Sequence, residues 1–179
     1  MAKRVPILGI CAFGSGCGKT TLLTGLIPLL IERGLRISII KHAHHNFDID
    51  HPGKDSYRLR QAGATQTLLG SSRRWALMTE LVTEREPQLE ELRNQLDPSL
   101  ADLVLVEGFK QEPIPKIEVY RHGLGHPLLA KHDASIIAVA GDAPVETTLP
   151  VLDLNNAEEI AEFVYRWHKM QTTSEPAFS

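Results

Sequence analysis

Apolar positions along the chain cluster in short unbroken runs, and only a few stretches alternate. Residues 5–12 and 101–106 hold almost nothing but apolar side chains, and 35–40 and 135–140 are nearly as rich in them. Runs of this length, heavy in Val and Ile, predict strands buried on both faces, as in a parallel sheet covered by helices. After the first run, Leu22, Leu23, Leu26, Leu29 and Leu30 recur at helical spacing. They predict a helix over 20–33 that stops at Gly34, with a kink expected at Pro28, which has no N–H to give the preceding turn. Strand, helix and strand in that order imply parallel pairing through a right-handed crossover.

Further along, the pattern predicts a short helix over 55–62 and two strands, 65–69 and 75–81, around the polar turn Ser71-Ser72-Arg73-Arg74. Leu89, Leu92 and Leu96 mark another helix, closed off by Pro98. Residues 116–121 alternate polar and apolar before His122-Gly123-Leu124-Gly125, which has turn chemistry. An antiparallel ribbon is therefore expected near 116–130, and such a hairpin, marginal alone, is a candidate dimer element. A last helix begins near Asn155 or Asn156, with Glu158 and Glu159 placed for a capping box and Ile160, Phe163, Val164 and Trp167 on its apolar face. The expected fold is α/β, a mostly parallel sheet flanked by helices with that ribbon added. It is expected as one domain over 1–170, with a frayed tail at 171–179.

Composition narrows the classes of function. The 179 residues are 42% hydrophobic, enough for one real core, and the net charge of −3 gives no footprint for nucleic acid. No apolar run approaches the ~20 residues needed to cross a bilayer. Cys11 and Cys17 lie in a predicted strand and the loop after it, where a disulfide would distort the backbone, so a reducing, cytoplasmic setting is expected.

The chemistry concentrates where the first strand meets the first helix, at Phe13-Gly14-Ser15-Gly16-Cys17-Gly18-Lys19-Thr20-Thr21. Glycines let successive backbone N–H groups turn toward one anion, and the helix N-terminus adds partial positive charge. The pattern is that of a phosphate-binding loop (P-loop): Gly14, Ser15, Gly16, Cys17, Gly18, Lys19, Thr20 and Thr21 form the cradle. Lys19 reaches the β- and γ-phosphates and neutralises charge there, and Thr20 ligates Mg2+. The usual first glycine is replaced by Phe13, with Gly14 beside it.

An apolar strand ending in an acid is the second half of such a site, which makes Glu107 the candidate to hold a water in the Mg2+ shell. Residues 41–56 leave the end of a strand with His42, His44, His45 and His51 beside Asp48 and Asp50. Three readings stay open: a transition-metal site, a nucleotide-coupled loop bringing Asp48 or Asp50 to the metal, or a solvated polar loop. Asp142 follows a strand and has the chemistry to accept from a guanine edge, although no Asn-Lys-x-Asp pattern is present; an ordinary turn aspartate is the alternative. Lys54, Arg73 and Arg74 are either anion contacts or exposed charge, and Trp75 and Trp167 fit core positions.

Three segments together resemble a known family. Lys41-His42-Ala43-His44-His45-Asn46-Phe47-Asp48-Ile49-Asp50 followed by Pro52-Gly53-Lys54-Asp55-Ser56, then Arg74-Trp75-Ala76-Leu77-Met78-Thr79-Glu80, and Leu105-Val106-Glu107-Gly108-Phe109-Lys110 are similar to segments of the molybdopterin-guanine dinucleotide biosynthesis protein B (MobB) family. The resemblance implies a P-loop NTPase-type fold, GTP with Mg2+ as ligands, weak GTPase activity and a homodimer. It also implies a partner, the guanylyltransferase that joins GMP to molybdopterin, with molybdopterin itself a further candidate ligand. A small-molecule kinase, a nickel or zinc metallochaperone GTPase and a non-catalytic binding module are the rival readings of the same loop.

Overall fold

The computed structural model describes residues 4–43 and 47–173. Their contacts form two compact units within the span expected as one domain: residues up to His42 together with those from Gln88 onward, and Ala43–Pro87. No described helix is long and apolar enough to cross a membrane. Of the tail expected to fray, residues 171–173 are helical and 174–179 lie outside the described residues.

The first unit is built on a six-stranded sheet. In chain order its strands are β1 (Ile7–Cys11), β2 (Ile37–Lys41), then β5 (Leu103–Glu107), β6 (Lys116–Tyr120), β7 (Ile136–Gly141) and β8 (Val151–Asp153); β3 and β4 belong to the second unit. The spatial order is β2-β5-β1-β6-β7-β8, and every pairing is parallel. The unbroken apolar runs have their reason in β5. Leu103 and Leu105 join one core cluster with Leu8, Ile10 and Leu26, while Val104 and Val106 join another with Val5, Ile40 and Phe109. A strand that feeds two cores has no polar face to alternate with.

Helix α1 (Lys19–Glu32) runs on through Pro28 and buries Leu22, Leu23, Leu26 and Leu30. It ends as the sequence predicts. Gly34 adopts φ 84°, its N–H bonds the Ile31 carbonyl, and the Leu35 N–H reaches the Leu30 carbonyl. These are the paired bonds of a Schellman stop, in which glycine takes the left-handed position without a Cβ clash. Helix α4 (Ala157–Thr173) packs in the same core through Ile160, Ala161, Val164 and Trp167. Asn156 caps it by accepting the Glu159 N–H at 3.1 Å, and the Glu159 carboxylate turns back to the Asp153 N–H at 3.2 Å. The short α3 (Leu89–Arg93) anchors Leu89 in the second cluster.

The antiparallel ribbon expected at 116–130 is not there. β6 is an internal parallel strand between β1 and β7, and the residues after it form two short 3-10 turns, His122–Leu124 and Leu129–Lys131. Alternating polar residues suggested a half-exposed strand, but these ones are buried and satisfied. Lys116, 1% exposed, donates to the carbonyls of Lys110 (2.9 Å) and Glu112 and pairs with Asp133 at 2.8 Å. Against the penalty of its own burial, hydrogen bonds from Lys116 and Ser135 hold the Asp133 carboxyl below its usual range. Glu118 accepts the N–H groups of Leu129 and Ala130, each at 2.8 Å, although burial still pushes its carboxyl up.

The second unit holds helix α2 (Asp55–Gln61) and the antiparallel pair β3 (Gln66–Gly70) and β4 (Trp75–Thr79). The Ser71 hydroxyl accepts from the Arg73 and Arg74 N–H groups and donates to the Arg74 carbonyl, which sets the turn between them. Register places Leu68 opposite Leu77 and Gly70 opposite Trp75, so Leu68, Trp75 and Leu77 share one face, and all three are exposed.

Candidate functional site

Because all six strands of the main sheet are parallel, their C-terminal ends share one edge. Open α/β sheets bind ligands at that edge. Here it collects the loop after Cys11, Lys41 at the end of β2, Glu107 at the end of β5, Arg121 just past β6 and Asp142 just past β7.

The loop between β1 and α1 takes its shape from glycine. Gly16 has φ 73° and Gly18 φ 99°, the left-handed region that side chains avoid. Gly18 is also the N-cap of α1 and brings no side-chain cap of its own, so the amides of the first turn are left to the loop. A Cβ at Gly18 would lie 3.1 Å from Arg121 Nη2, which leaves little space for a larger residue. Arg121 Nε donates to the Cys17 carbonyl at 3.0 Å, binding the loop to the end of β6.

Phe13, where a glycine is usual, keeps its ring at the surface. It stacks on His126 with centroids 4.9 Å apart, and Lys110 Nζ lies 5.5 Å from the ring centre while donating to the Phe13 carbonyl at 3.1 Å. The bulky ring is thus carried outside the loop. On the other flank, His42 stacks on Phe109 at 4.8 Å.

Two predicted residues meet directly: the Thr20 hydroxyl donates to Glu107 Oε1 at 2.8 Å. Lys19 Nζ donates to the Gly14 carbonyl at 2.9 Å, within the loop itself. Lys41 Nζ lies 3.4 Å from Glu107 Oε2 and 3.5 Å from Thr20 Oγ1. A hydroxyl and a carboxylate side by side at the start of a helix are a hard-oxygen donor set of the kind Mg2+ takes. Asp142 accepts the His122 N–H at 2.9 Å and faces Arg121 Nη1 at 3.5 Å, so both oxygens have protein partners.

Asp48 and Asp50 belong to the second unit. Asp48 pairs with Arg60 at 2.6 Å, and that hydrogen bond holds its carboxyl below the usual range. Asp50 accepts from the Ser56 hydroxyl at 2.9 Å and from the His51 N–H. His44 and His45 lie outside the described residues, and among the described ones no three His, Cys, Asp or Glu converge as metal ligands. A cavity of about 740 Å3 opens elsewhere, along Lys110, Pro113 and residues 132–135. It carries none of the residues expected to meet nucleotide.

Sequence reasoning assigned no role to Lys41 or Arg121. The available signal was position, since each is a basic residue at or just past the C-terminal end of a parallel strand.

Residues 7–142 match the family model described as molybdopterin guanine dinucleotide synthesis protein B, MobB. A protein of Escherichia coli named molybdopterin-guanine dinucleotide biosynthesis adapter protein is 51% identical over 93% of this chain and 95% of its own length. A Haemophilus influenzae protein of the same name is 48% identical over 93% and 92%. Among solved structures, one titled molybdopterin-guanine biosynthesis protein B superposes with TM-score 0.69 at 29% identity, covering 90% of this chain and 99% of that one. A MobB homolog from Bacillus stearothermophilus superposes equally well at 24% identity, over 92% and 98%, a likeness of fold.

Proposed function

The chain belongs to the molybdopterin guanine dinucleotide synthesis protein B family, and from that premise we propose that it is a GTP-binding adapter with weak GTPase activity. It assists the attachment of GMP to molybdopterin in molybdenum cofactor biosynthesis. The observation that carries the reading is the 2.8 Å contact between Thr20 and Glu107 at the mouth of a glycine loop. A hydroxyl and a carboxylate brought together from elements far apart in sequence are the oxygen pair that a phosphate-bound Mg2+ would use, and this supports the reading.

In this reading residues 14–21 cradle the phosphates with backbone N–H groups, and Lys19 leaves the Gly14 carbonyl to neutralise charge on the β- and γ-phosphates. Thr20 would ligate Mg2+ and Glu107 would hold it through water, and the ion would supply charge neutralisation to the phosphate oxygens. Arg121 keeps the loop's path fixed through Cys17. Asp142 meets the guanine edge by exchanging its longer contact, that with Arg121. The activation of water falls to no residue in this reading, which accords with slow hydrolysis and an adapter's role.

The relatives' name, adapter, supports a partner among the enzymes of that biosynthesis. In this reading it is the guanylyltransferase, with the cytoplasm as the site of action and molybdopterin as a further candidate ligand. A homodimer fits the second unit. A two-stranded sheet is marginal alone, and the exposed face of Leu68, Trp75 and Leu77 gains by being covered.

The test is calorimetric titration with a non-hydrolysable GTP analogue and its ATP counterpart, each with Mg2+. Preference for the guanine analogue, abolished in Lys19→Ala, is the expected result. Equal or adenine-favoured binding would overturn the guanine assignment and move a small-molecule kinase to the front.

A further inference from the structure

Lys41 reaches both groups assigned above to the metal. Its ammonium lies 3.4 Å from Glu107 Oε2 and 3.5 Å from Thr20 Oγ1, while those two side chains bond each other at 2.8 Å. Sheet register brings it there. Lys41 ends β2 directly opposite Glu107 of β5, and its side chain is 54% exposed, so it is held by these contacts and not by packing. A single positive charge therefore stands on the oxygen pair that suits a divalent cation. An ammonium and a divalent ion cannot both sit on one carboxylate–hydroxyl pair without strong repulsion.

We propose that Lys41 is a positioning residue that competes with the divalent cation for the Thr20–Glu107 pair and is displaced from it when metal loads. The inference rests on the metal assignment under the proposed function. Its consequence is coupling. Without nucleotide the displaced ammonium exchanges the Thr20–Glu107 pair for solvent alone, whereas with a triphosphate bound it gains a new anion. Lys41 thereby disfavours metal without nucleotide and favours the two together.

The experiment is an electron paramagnetic resonance titration with Mn2+ as the probe, on the full chain, with and without a non-hydrolysable GTP analogue. Wild type is compared with Lys41→Met, Lys41→Gln and Lys41→Arg. Without nucleotide, the Met and Gln variants are expected to bind Mn2+ roughly two- to fivefold more tightly than wild type, the range set by an exposed ion pair. The gain in Mn2+ affinity on adding nucleotide is expected to shrink in both variants, and Lys41→Arg is expected to stay near wild type. Unchanged or weaker Mn2+ binding in both neutral variants, with thermal unfolding as in wild type, overturns the proposal. If wild type with the GTP analogue binds Mn2+, but the neutral variants match wild type without nucleotide and gain as much as it does on adding nucleotide, this inference alone fails. If wild type with the analogue binds none, the metal assignment fails and this inference with it.

Discussion

Thr20 Oγ1 and Glu107 Oε1 are joined by a 2.8 Å hydrogen bond across 87 residues of chain. Neither side chain is positioned by its neighbours in sequence; the β1–β5 pairing sets the distance. Glu107→Gln preserves shape and hydrogen bonding while removing the charge. It is expected to weaken Mg2+-dependent binding of a GTP analogue by about 10- to 100-fold, with little change in thermal unfolding. Calorimetry at fixed Mg2+ reads it, and wild-type affinity in the variant would remove Glu107 from the metal shell.

The two left-handed glycines of the loop separate backbone strain from crowding. At Gly16 an added Cβ meets nothing within 4 Å, whereas at Gly18 it lies 3.1 Å from Arg121 Nη2. Gly16→Ala is expected to cost about 1–2 kcal/mol for its left-handed backbone. Gly18→Ala should cost more and should weaken nucleotide binding as well, because Arg121 must shift by a few tenths of an ångström while bonded to the Cys17 carbonyl. Denaturant unfolding of the two variants side by side checks the order.

Removing the buried cation of β6 tests whether its network is needed. Lys116→Met leaves a half-buried Asp133 and two carbonyls without their common donor. Because Asp133 can still meet solvent, the cost should fall below the about 3–5 kcal/mol of a fully buried pair. Adding Asp133→Asn to the same chain should recover part of the loss. A double-mutant cycle in urea measures the coupling, and strict additivity would mean the pair contributes nothing.

In the second unit, Arg60 hydrogen-bonds Asp48 and holds its carboxyl below the usual range. A lowered folded-state value favours the folded form above the unfolded carboxylate range of about 3.9. That contribution is lost as pH falls through the lowered value. Protection of amides in residues 55–79, corrected for intrinsic exchange, should therefore decline toward acid, and Asp48→Asn should flatten the decline.

Cys11 is 1% exposed, and burial, followed by the charge of Glu118, pushes its thiol up to about 12. At pH 8 its thiolate fraction is on the order of one in ten thousand. Alkylation of the native protein at that pH should leave Cys11 unmodified, with label appearing only in denaturant. Rapid native labelling, read by mass spectrometry, would contradict this burial.

The sequence carried the loop, its lysine and threonine, and the acid at the end of β5, because each sits beside a strong local signal: a glycine cluster, a helical leucine pattern or an unbroken apolar run. The place of β6 was hidden. Lys116 and Glu118 look solvated in one dimension, and only residues 110–133 folding back to meet them make an internal strand possible. β8 is three residues long and has only Leu152 buried, too short for periodicity to register. Lys41 and Arg121 escaped for a related reason. Their partners, Glu107 and Cys17, are neighbours through the sheet and not through the chain.

The strand order has a consequence for how the protein comes into being. β1 is made first, yet its two neighbours in the sheet are β5 and β6, both from the far half of the chain. Contacts of such sequence separation form late, after a large loop has closed. A nascent chain released before β5 carries the glycines, Lys19 and Thr20 but neither the acid opposite them nor Arg121, which bonds the loop. In the proposed function, nucleotide with metal would therefore bind chiefly the finished sheet, and added during refolding it should act as a trap for completed molecules, raising their yield without hastening the first strand pairings.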